Sequence, residues 1–155
     1  MQLGQGMVSR TYLQNGIVSK QYFTPFHKYT PRNIEWHWKN EIKALKLLKG
    51  KKHFPQLISV DPANRIIYMS YCGDPLTVEN LPKDWKKQCT EIEETLYKCK
   101  IYPQDLKGKD TNPKYPHQKN IHVKDKIIYL IDFGIWANKF SPGFDTVSEI
   151  VSRIQ

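Results

Sequence analysis

The chain has 155 residues, of which 39% are apolar and 12% aromatic, and these values predict one globular domain and exclude a disordered chain. A net charge of +9 favours acidic partners, which include nucleotide phosphates, acidic protein surfaces, nucleic acid and anionic lipid, and does not choose among them. Three cysteines without a C-x-x-C spacing argue against a disulfide scaffold. No apolar run is long enough to span a bilayer and no signal peptide is visible, so we expect an intracellular, cytoplasmic protein with no membrane span.

The first half of the chain alternates strand signals with one helix signal. Asn15-Gly16 between two short apolar runs is typical of a hairpin turn and predicts two or three antiparallel strands at the start. Apolar residues three or four apart predict an amphipathic helix over residues 34–49, and Gly50 is a typical helix stop. The lysine-rich face of this helix is interpreted as a solvated face rather than a nucleic-acid site. Two further strands are predicted at residues 56–60 and 65–71.

The second half begins with a predicted chain break at residues 73–75. Residues 85–99 show the periodicity of a second amphipathic helix, and the polar, proline-rich residues 102–119 predict a loop. Two apolar runs within residues 121–131 predict a hairpin, and a capping box predicts a helix over residues 145–154. This order of elements predicts an α+β fold.

Two groups of residues in the first half could bind the phosphates of a nucleotide. The glycines of Leu3-Gly4-Gln5-Gly6 would let backbone N–H groups approach phosphate oxygens, although taken alone they are better explained as an ordinary hairpin turn. Lys20, in a predicted strand, could pair with phosphates while Glu41 on the following helix holds the lysine in place. The alternative for this second group is two unrelated surface charges.

Three polar positions in the second half could serve phosphoryl transfer. Asp105, in Asp105-Leu106-Lys107, could orient a substrate hydroxyl and accept its proton, and Asn120 could ligate magnesium. The alternative for Asp105 is a polar turn that ends the preceding helix. Asp132 follows an apolar strand and precedes Phe133-Gly134, which is a natural place for a Mg²⁺ ligand.

Taken in order, these motifs resemble the signature set of eukaryotic-type protein kinases, over residues 3 to about 134. Leu3-Gly4-Gln5-Gly6 resembles the Gly-rich loop, Lys20 the third-strand lysine, and residues 40–48 the helix that carries the partner glutamate. Residues 66–73 resemble the strand and hinge that hold adenine, with Met69 as gatekeeper. The catalytic loop and the metal-binding motif are matched by Asp105-Leu106-Lys107 and Asp132-Phe133-Gly134.

The resemblance implies one kinase-like domain over residues 1–155. Its N-terminal lobe, residues 1–71, would hold an antiparallel sheet and an αC-type helix, and residues 72–155 would form a much reduced C-terminal lobe. The implied activity is that of a serine/threonine protein kinase of minimal size, with ATP, Mg²⁺ or Mn²⁺, and an unknown protein substrate with an acidic surface. The nucleotide-binding residues that it implies are Leu3, Gly4, Gln5, Gly6, Val18, Lys20, Glu41, Met69, Ser70, Tyr71 and Cys72. The implied catalytic residues are Asp105 and Lys107, and the implied metal ligands are Asn120 and Asp132.

The sequence departs from the family pattern at several positions. Asn120 follows Asp105 at a much longer distance than the family's spacing of about five residues, which implies an inserted segment or, alternatively, Asp110 as the second metal ligand. Few residues follow Gly134, so the helices that dock a peptide substrate are missing. A pseudokinase that binds a partner and a small-molecule kinase therefore remain as alternatives, and by analogy such short kinases resemble those of large DNA viruses or bacterial effectors.

Overall fold

The computed structural model describes residues 1–5, 9–23, 31–103, 120–134, 136–139 and 146–154. The chain divides into two compact units, Met1–Lys49 with Pro55–Tyr71, and Gly50–Phe54 with Cys72–Gln155. Each unit is described by itself. Among the described residues, no helix combines the length and the apolar character needed to cross a membrane.

The first unit contains a five-stranded antiparallel sheet. Its strands are β1 (Gln2–Gln5), β2 (Ser9–Gln14), β3 (Ile17–Tyr22), β4 (Leu57–Asp61) and β5 (Ile66–Ser70). They lie in the order β1-β2-β3-β5-β4. The predicted turn at Asn15-Gly16 joins β2 to β3, and both residues have positive φ (52° and 76°), the conformation that a two-residue hairpin turn requires. The strand predictions for this half are therefore confirmed.

Helix α1 (Pro31–Leu47) covers this sheet through contacts with β3 and β4. It begins three residues before the predicted start, with Pro31 in the first helical position, where the missing N–H of proline costs nothing. Its apolar stripe is buried, and Ile34, Leu45 and Leu48 are fully enclosed. Gly50, with a φ of 74°, lies just beyond the helix, as the sequence predicts.

The second unit is built on helix α2 and a three-stranded sheet. Helix α2 (Trp85–Cys99) has the bounds that its periodicity predicts. The sheet has the order β6-β8-β9, with β6 at Asp74–Pro75, β8 at Ile121–Lys124 and β9 at Ile127–Leu130. The hairpin of β8 and β9 is confirmed. The predicted chain break at residues 73–75 is wrong in part, because β6 pairs with β8 there.

A second sheet in this unit was not predicted. Strand β7 (Tyr102–Pro103) pairs antiparallel with β10 (Trp136–Ala137), so the predicted loop over residues 102–119 is wrong at its first two residues. The rest of that loop lies outside the described residues. Helix α3 (Val147–Ser152) completes the unit, and the side chain of Thr146 accepts a hydrogen bond from the N–H of Glu149 as a capping box requires.

The cysteines Cys72, Cys89 and Cys99 are free thiols. Cys89 is fully buried on α2, and this burial raises the pKa of its thiol to about 12. A thiol that stays protonated at neutral pH is a poor nucleophile, so Cys89 serves the packing of α2 rather than chemistry.

Candidate functional site

The first unit brings Lys20 and Glu41 together. Alternation along β3 places Val18, Lys20 and Tyr22 on the face that α1 covers. Lys20 Nζ lies 2.8 Å from Glu41 Oε2, and the two residues are only 7% and 1% exposed. The alternative of two unrelated surface charges is therefore wrong.

The burial of this pair makes it a specific arrangement rather than an incidental surface contact. Removing an ammonium or a carboxylate group from water costs several kcal/mol per ion, and only close pairing with further hydrogen bonds offsets that cost. A lysine held in this way has one fixed position for its charge, with little freedom left in its long side chain. Such a charge suits the recognition of an anion.

Tyr22 is a third member of the cluster that the sequence did not reveal. Its hydroxyl donates a hydrogen bond to Glu41 Oε2, and Lys20 Nζ lies 5.2 Å from the centroid of its ring. The signal was present in the spacing, because residues two apart on a strand share a face and Tyr22 follows Lys20 by two. Tyr22 orients the carboxylate of Glu41, which in turn orients the ammonium group of Lys20.

The predicted adenine-binding residues of the first unit lie on adjacent strands. Val18 and Met69 are direct partners in the pairing of β3 with β5, and both are buried. Ser70 ends β5, where its N–H donates to the carbonyl of Gln56 at 3.0 Å. The N–H of Ser70 is therefore already bonded within the sheet, although the kinase resemblance implies that the backbone there bonds adenine. Tyr71 is the last residue of this unit.

The predicted phosphate loop is described only in part. Leu3, Gly4 and Gln5 belong to β1; Gly4 and Gln5 pair with β2, and Leu3 lies at an irregularity of the register between Gln2 and Gly4. Gly6 lies outside the described residues. The strand around the loop is therefore observed, whereas an approach of its N–H groups to phosphate stays a prediction.

In the second unit, the hairpin of β8 and β9 brings Asn120 next to the residue that precedes Asp132. The N–H of Ile131 donates to the carbonyl of Asn120 at 2.9 Å, and Asn120 is 5% exposed. Asp132 follows β9 with a φ of 69°, a conformation that aspartate tolerates better than most residues. Its Oδ1 accepts a hydrogen bond from the N–H of Gly134 at 3.3 Å.

The chemistry of these two side chains fits a hard divalent cation. Among the described residues, no three His, Cys, Asp or Glu side chains cluster in a way that could hold a metal ion by themselves. Mg²⁺ is usually bound through one or two protein carboxylates, with water and substrate phosphates completing its ligands. One carboxylate and one amide oxygen therefore fit Mg²⁺ or Mn²⁺ delivered with a nucleotide.

The remaining candidates are Asp105, Lys107, Cys72 and Asp110, the last of which is the alternative to Asn120 as second metal ligand. Asp105, Lys107 and Asp110 lie outside the described residues. Cys72 is buried at the start of the second unit's main segment. The choice between Asn120 and Asp110 as second metal ligand therefore stays open.

His53 forms a hydrogen bond with Glu91 that sequence reasoning overlooked. It is 2% exposed, and its Nε2 lies 2.8 Å from Glu91 Oε2 on α2. The hydrogen bond from His53 lowers the pKa of the Glu91 carboxyl below its ordinary value of 4.5. The sequence offered no metal or catalytic spacing for His53, so only the fold reveals its partner.

The Glu91→Gln variant should show how this pair responds to acid. A carboxyl whose folded pKa is depressed stabilises the fold above its ordinary pKa, and this contribution is lost as the pH falls through the folded pKa. We expect Glu91→Gln to unfold at lower urea than the wild type at pH 7, and the two midpoints to converge as the pH falls below the ordinary carboxyl pKa of 4.5. A difference that stayed constant as the pH fell would contradict the pairing.

The described fold is similar to part of WbdD. A co-crystal structure of WbdD with the kinase inhibitor LY294002 has a TM-score of 0.63 and 17% identity, covering 89% of this chain and 33% of the WbdD chain. A second crystal structure of WbdD has a TM-score of 0.64 and 15% identity, covering 90% of this chain and 33% of that chain. Comparisons with protein-family models and with curated proteins found no match. This chain spans about a third of the length of WbdD, and at such low identity the likeness shows the fold alone.

Proposed function

We propose that this protein is an ATP-dependent phosphotransferase that moves the γ-phosphate of ATP to a hydroxyl group. The buried pair of Lys20 and Glu41 carries the proposal, because it fixes a cation on β3, which pairs with β2, the neighbour of the strand that contains the predicted phosphate loop. The likeness to a protein that crystallised with a kinase inhibitor adds support at the level of the fold.

The roles of the residues follow from their chemistry. Lys20 would bind nucleotide phosphates, with Glu41 holding its ammonium group in position. Asp132 and Asn120 would hold Mg²⁺ or Mn²⁺, which neutralises charge on the transferred phosphate. By resemblance alone, Asp105 would orient the substrate hydroxyl and accept its proton.

The proposed substrate is a serine or threonine hydroxyl on a protein with an acidic surface. The net charge of +9 favours such a partner through attraction at long range. A pseudokinase would bind ATP without transferring phosphate, and a small-molecule kinase would transfer phosphate to a small hydroxyl compound instead. ATP binding together with transfer of labelled phosphate to proteins and to small hydroxyl compounds distinguishes both alternatives from a protein kinase.

A thermal shift with ATP and Mg²⁺ tests nucleotide binding directly. A ligand present at about 100 times its Kd adds about 2.7 kcal/mol to the stability of the folded state. For a domain of this size that corresponds to a rise in Tm of roughly 5–10 °C. We expect most of this rise to disappear when EDTA removes the metal. An unchanged Tm at millimolar ATP and Mg²⁺ would reject the proposal.

A further inference from the structure

Strand β9, which leads to Asp132, is an edge strand of its sheet, yet its outer edge is occupied by hydrogen bonds. Gln88 on α2 donates from Nε2 to the carbonyl of Lys126 at 2.9 Å and accepts from the N–H of Ile128 at 2.8 Å. His53 Nδ1 lies 2.7 Å from the carbonyl of Ile128, and the carbonyl of His53 accepts from the N–H of Leu130 at 2.9 Å. Two residues therefore take the place of a neighbouring strand.

His53 links α2 to β9 through both nitrogens of its ring. Nδ1 faces the carbonyl oxygen of Ile128, which can only accept a hydrogen bond, and Nε2 lies 2.8 Å from the carboxylate of Glu91. Gln88, which also bonds β9, lies one helical turn from Glu91 on α2.

The same short segment also contacts the chain beyond Asp132. Phe54 follows His53, and its ring packs against the ring of Phe133 with centroids 6.0 Å apart. His53 therefore holds the strand that ends two residues before Asp132, and Phe54 holds the residue that follows it.

We infer that His53, held in place by Glu91, is a positioning residue that sets the location of the metal-binding carboxylate of Asp132. The inference rests on the proposed function, because it assigns a role to His53 in that same reaction. Residues that support metal ligands without contacting the metal typically change metal affinity by about 10–100-fold when they are removed. The role of His53 should therefore appear in the Mg²⁺ requirement of the enzyme.

The test is the Mg²⁺ concentration that gives half-maximal ATP turnover in the 155-residue chain and, as a readout that needs no turnover, the Mg²⁺ concentration that gives half of the rise in Tm at a fixed ATP concentration. His53→Asn removes the ring while keeping a residue that tolerates the φ of 75° observed there. We expect it to raise the Mg²⁺ requirement by about tenfold or more, with the KM for ATP at saturating Mg²⁺ changed less than about twofold. A residue that only stabilises the fold would not separate these two constants.

Variants of α2 supply the controls. Glu91→Ala removes the partner of His53, and because the Glu91 side chain is 36% exposed we expect this variant to fold even if His53→Asn proves unstable. It should raise the Mg²⁺ requirement about threefold, whereas Glu91→Gln should restore it, because an amide can still form a hydrogen bond with Nε2. Glu93→Ala, which removes a bond to the N–H of Ser148 on α3, should leave it unchanged.

The outcomes distinguish a failure of the inference about His53 from a failure of the proposed function. If the wild type shows no Mg²⁺-dependent ATP turnover, the proposed function fails and the inference fails with it. If the wild type is active but Glu91→Ala and any folded His53→Asn keep the wild-type Mg²⁺ requirement, the inference alone is overturned. An equal rise in Glu93→Ala would also overturn it, because the effect would then come from α2 in general.

Discussion

Replacing Lys20 by methionine is expected to reduce phosphoryl transfer by on the order of 100-fold or more. Methionine retains the apolar stem of the side chain but cannot bind phosphate, and the ammonium group of Lys20 is the fixed cation of the predicted phosphate site. The measurement is kcat/KM for ATP, with circular dichroism to establish that the variant folds. Lys39→Met is the matched control, since Lys39 lies on the exposed face of α1, with a side chain that is 66% exposed.

Loss of stability must be separated from loss of chemistry in this variant. Removing one partner of a buried ion pair leaves an uncompensated charge and costs about 3–5 kcal/mol. Adding Glu41→Gln to Lys20→Met removes the orphaned charge, while the amide oxygen of the new side chain could still accept the hydrogen bond from Tyr22. We expect the double variant to regain stability without regaining activity. Activity within about twofold of the wild type in Lys20→Met would reject the proposed role of Lys20.

Gly73→Ala is expected to cause a large loss of stability from a single added methyl group. Gly73 has a φ of 87°, and a Cβ placed there would lie 2.1 Å from the carbonyl oxygen of Val123. The backbone of β8 would have to move, which would disturb its pairing with β6. Left-handed strain of about 1–2 kcal/mol and overpacking of about 1–3 kcal/mol together predict a loss of roughly 3 kcal/mol, measured by urea denaturation.

Gly50→Ala is the control for the strain alone. Gly50 has a similar φ of 74°, but an added Cβ would meet no atom within 4 Å. Gly50→Ala should therefore lower the free energy of unfolding only through the strain of a left-handed backbone, by about 1–2 kcal/mol. Equal losses in the two variants would show that the close approach of Gly73 to Val123 is not what limits the substitution.

Local signals in the sequence predicted most of the helices and hairpins. The periodicity of residues 85–99 predicted α2, the Asn15-Gly16 turn predicted the β2–β3 hairpin, and Thr146 predicted the start of α3. These features depend on contacts between residues close in the chain, which is why composition and spacing reveal them. Lys20 and Glu41 were proposed to act together from their places on a predicted strand and the helix that follows it, and the family resemblance supported that pairing over two unrelated surface charges.

Features that depend on distant contacts were not predictable. The two-residue strand Tyr102–Pro103 has no strand signal of its own, because proline is a poor strand former and its partner Trp136–Ala137 lies far along the chain. Likewise, the residues next to His53 in the sequence did not indicate its partners, since Ile128 and Glu91 come from two other elements. Such pairings are set by tertiary packing, which single-sequence patterns do not encode.

Transfer of labelled γ-phosphate from ATP is the most direct test of the proposed phosphotransferase function. Wild-type protein and Asp132→Asn, which keeps the shape and the tolerance for positive φ, would be incubated with ATP and Mg²⁺, together with acidic proteins and small hydroxyl compounds. We predict Mg²⁺-dependent labelling of a protein hydroxyl by the wild type and almost none by Asp132→Asn. Binding of ATP and Mg²⁺ without any transfer by the wild type would contradict this function and identify a pseudokinase.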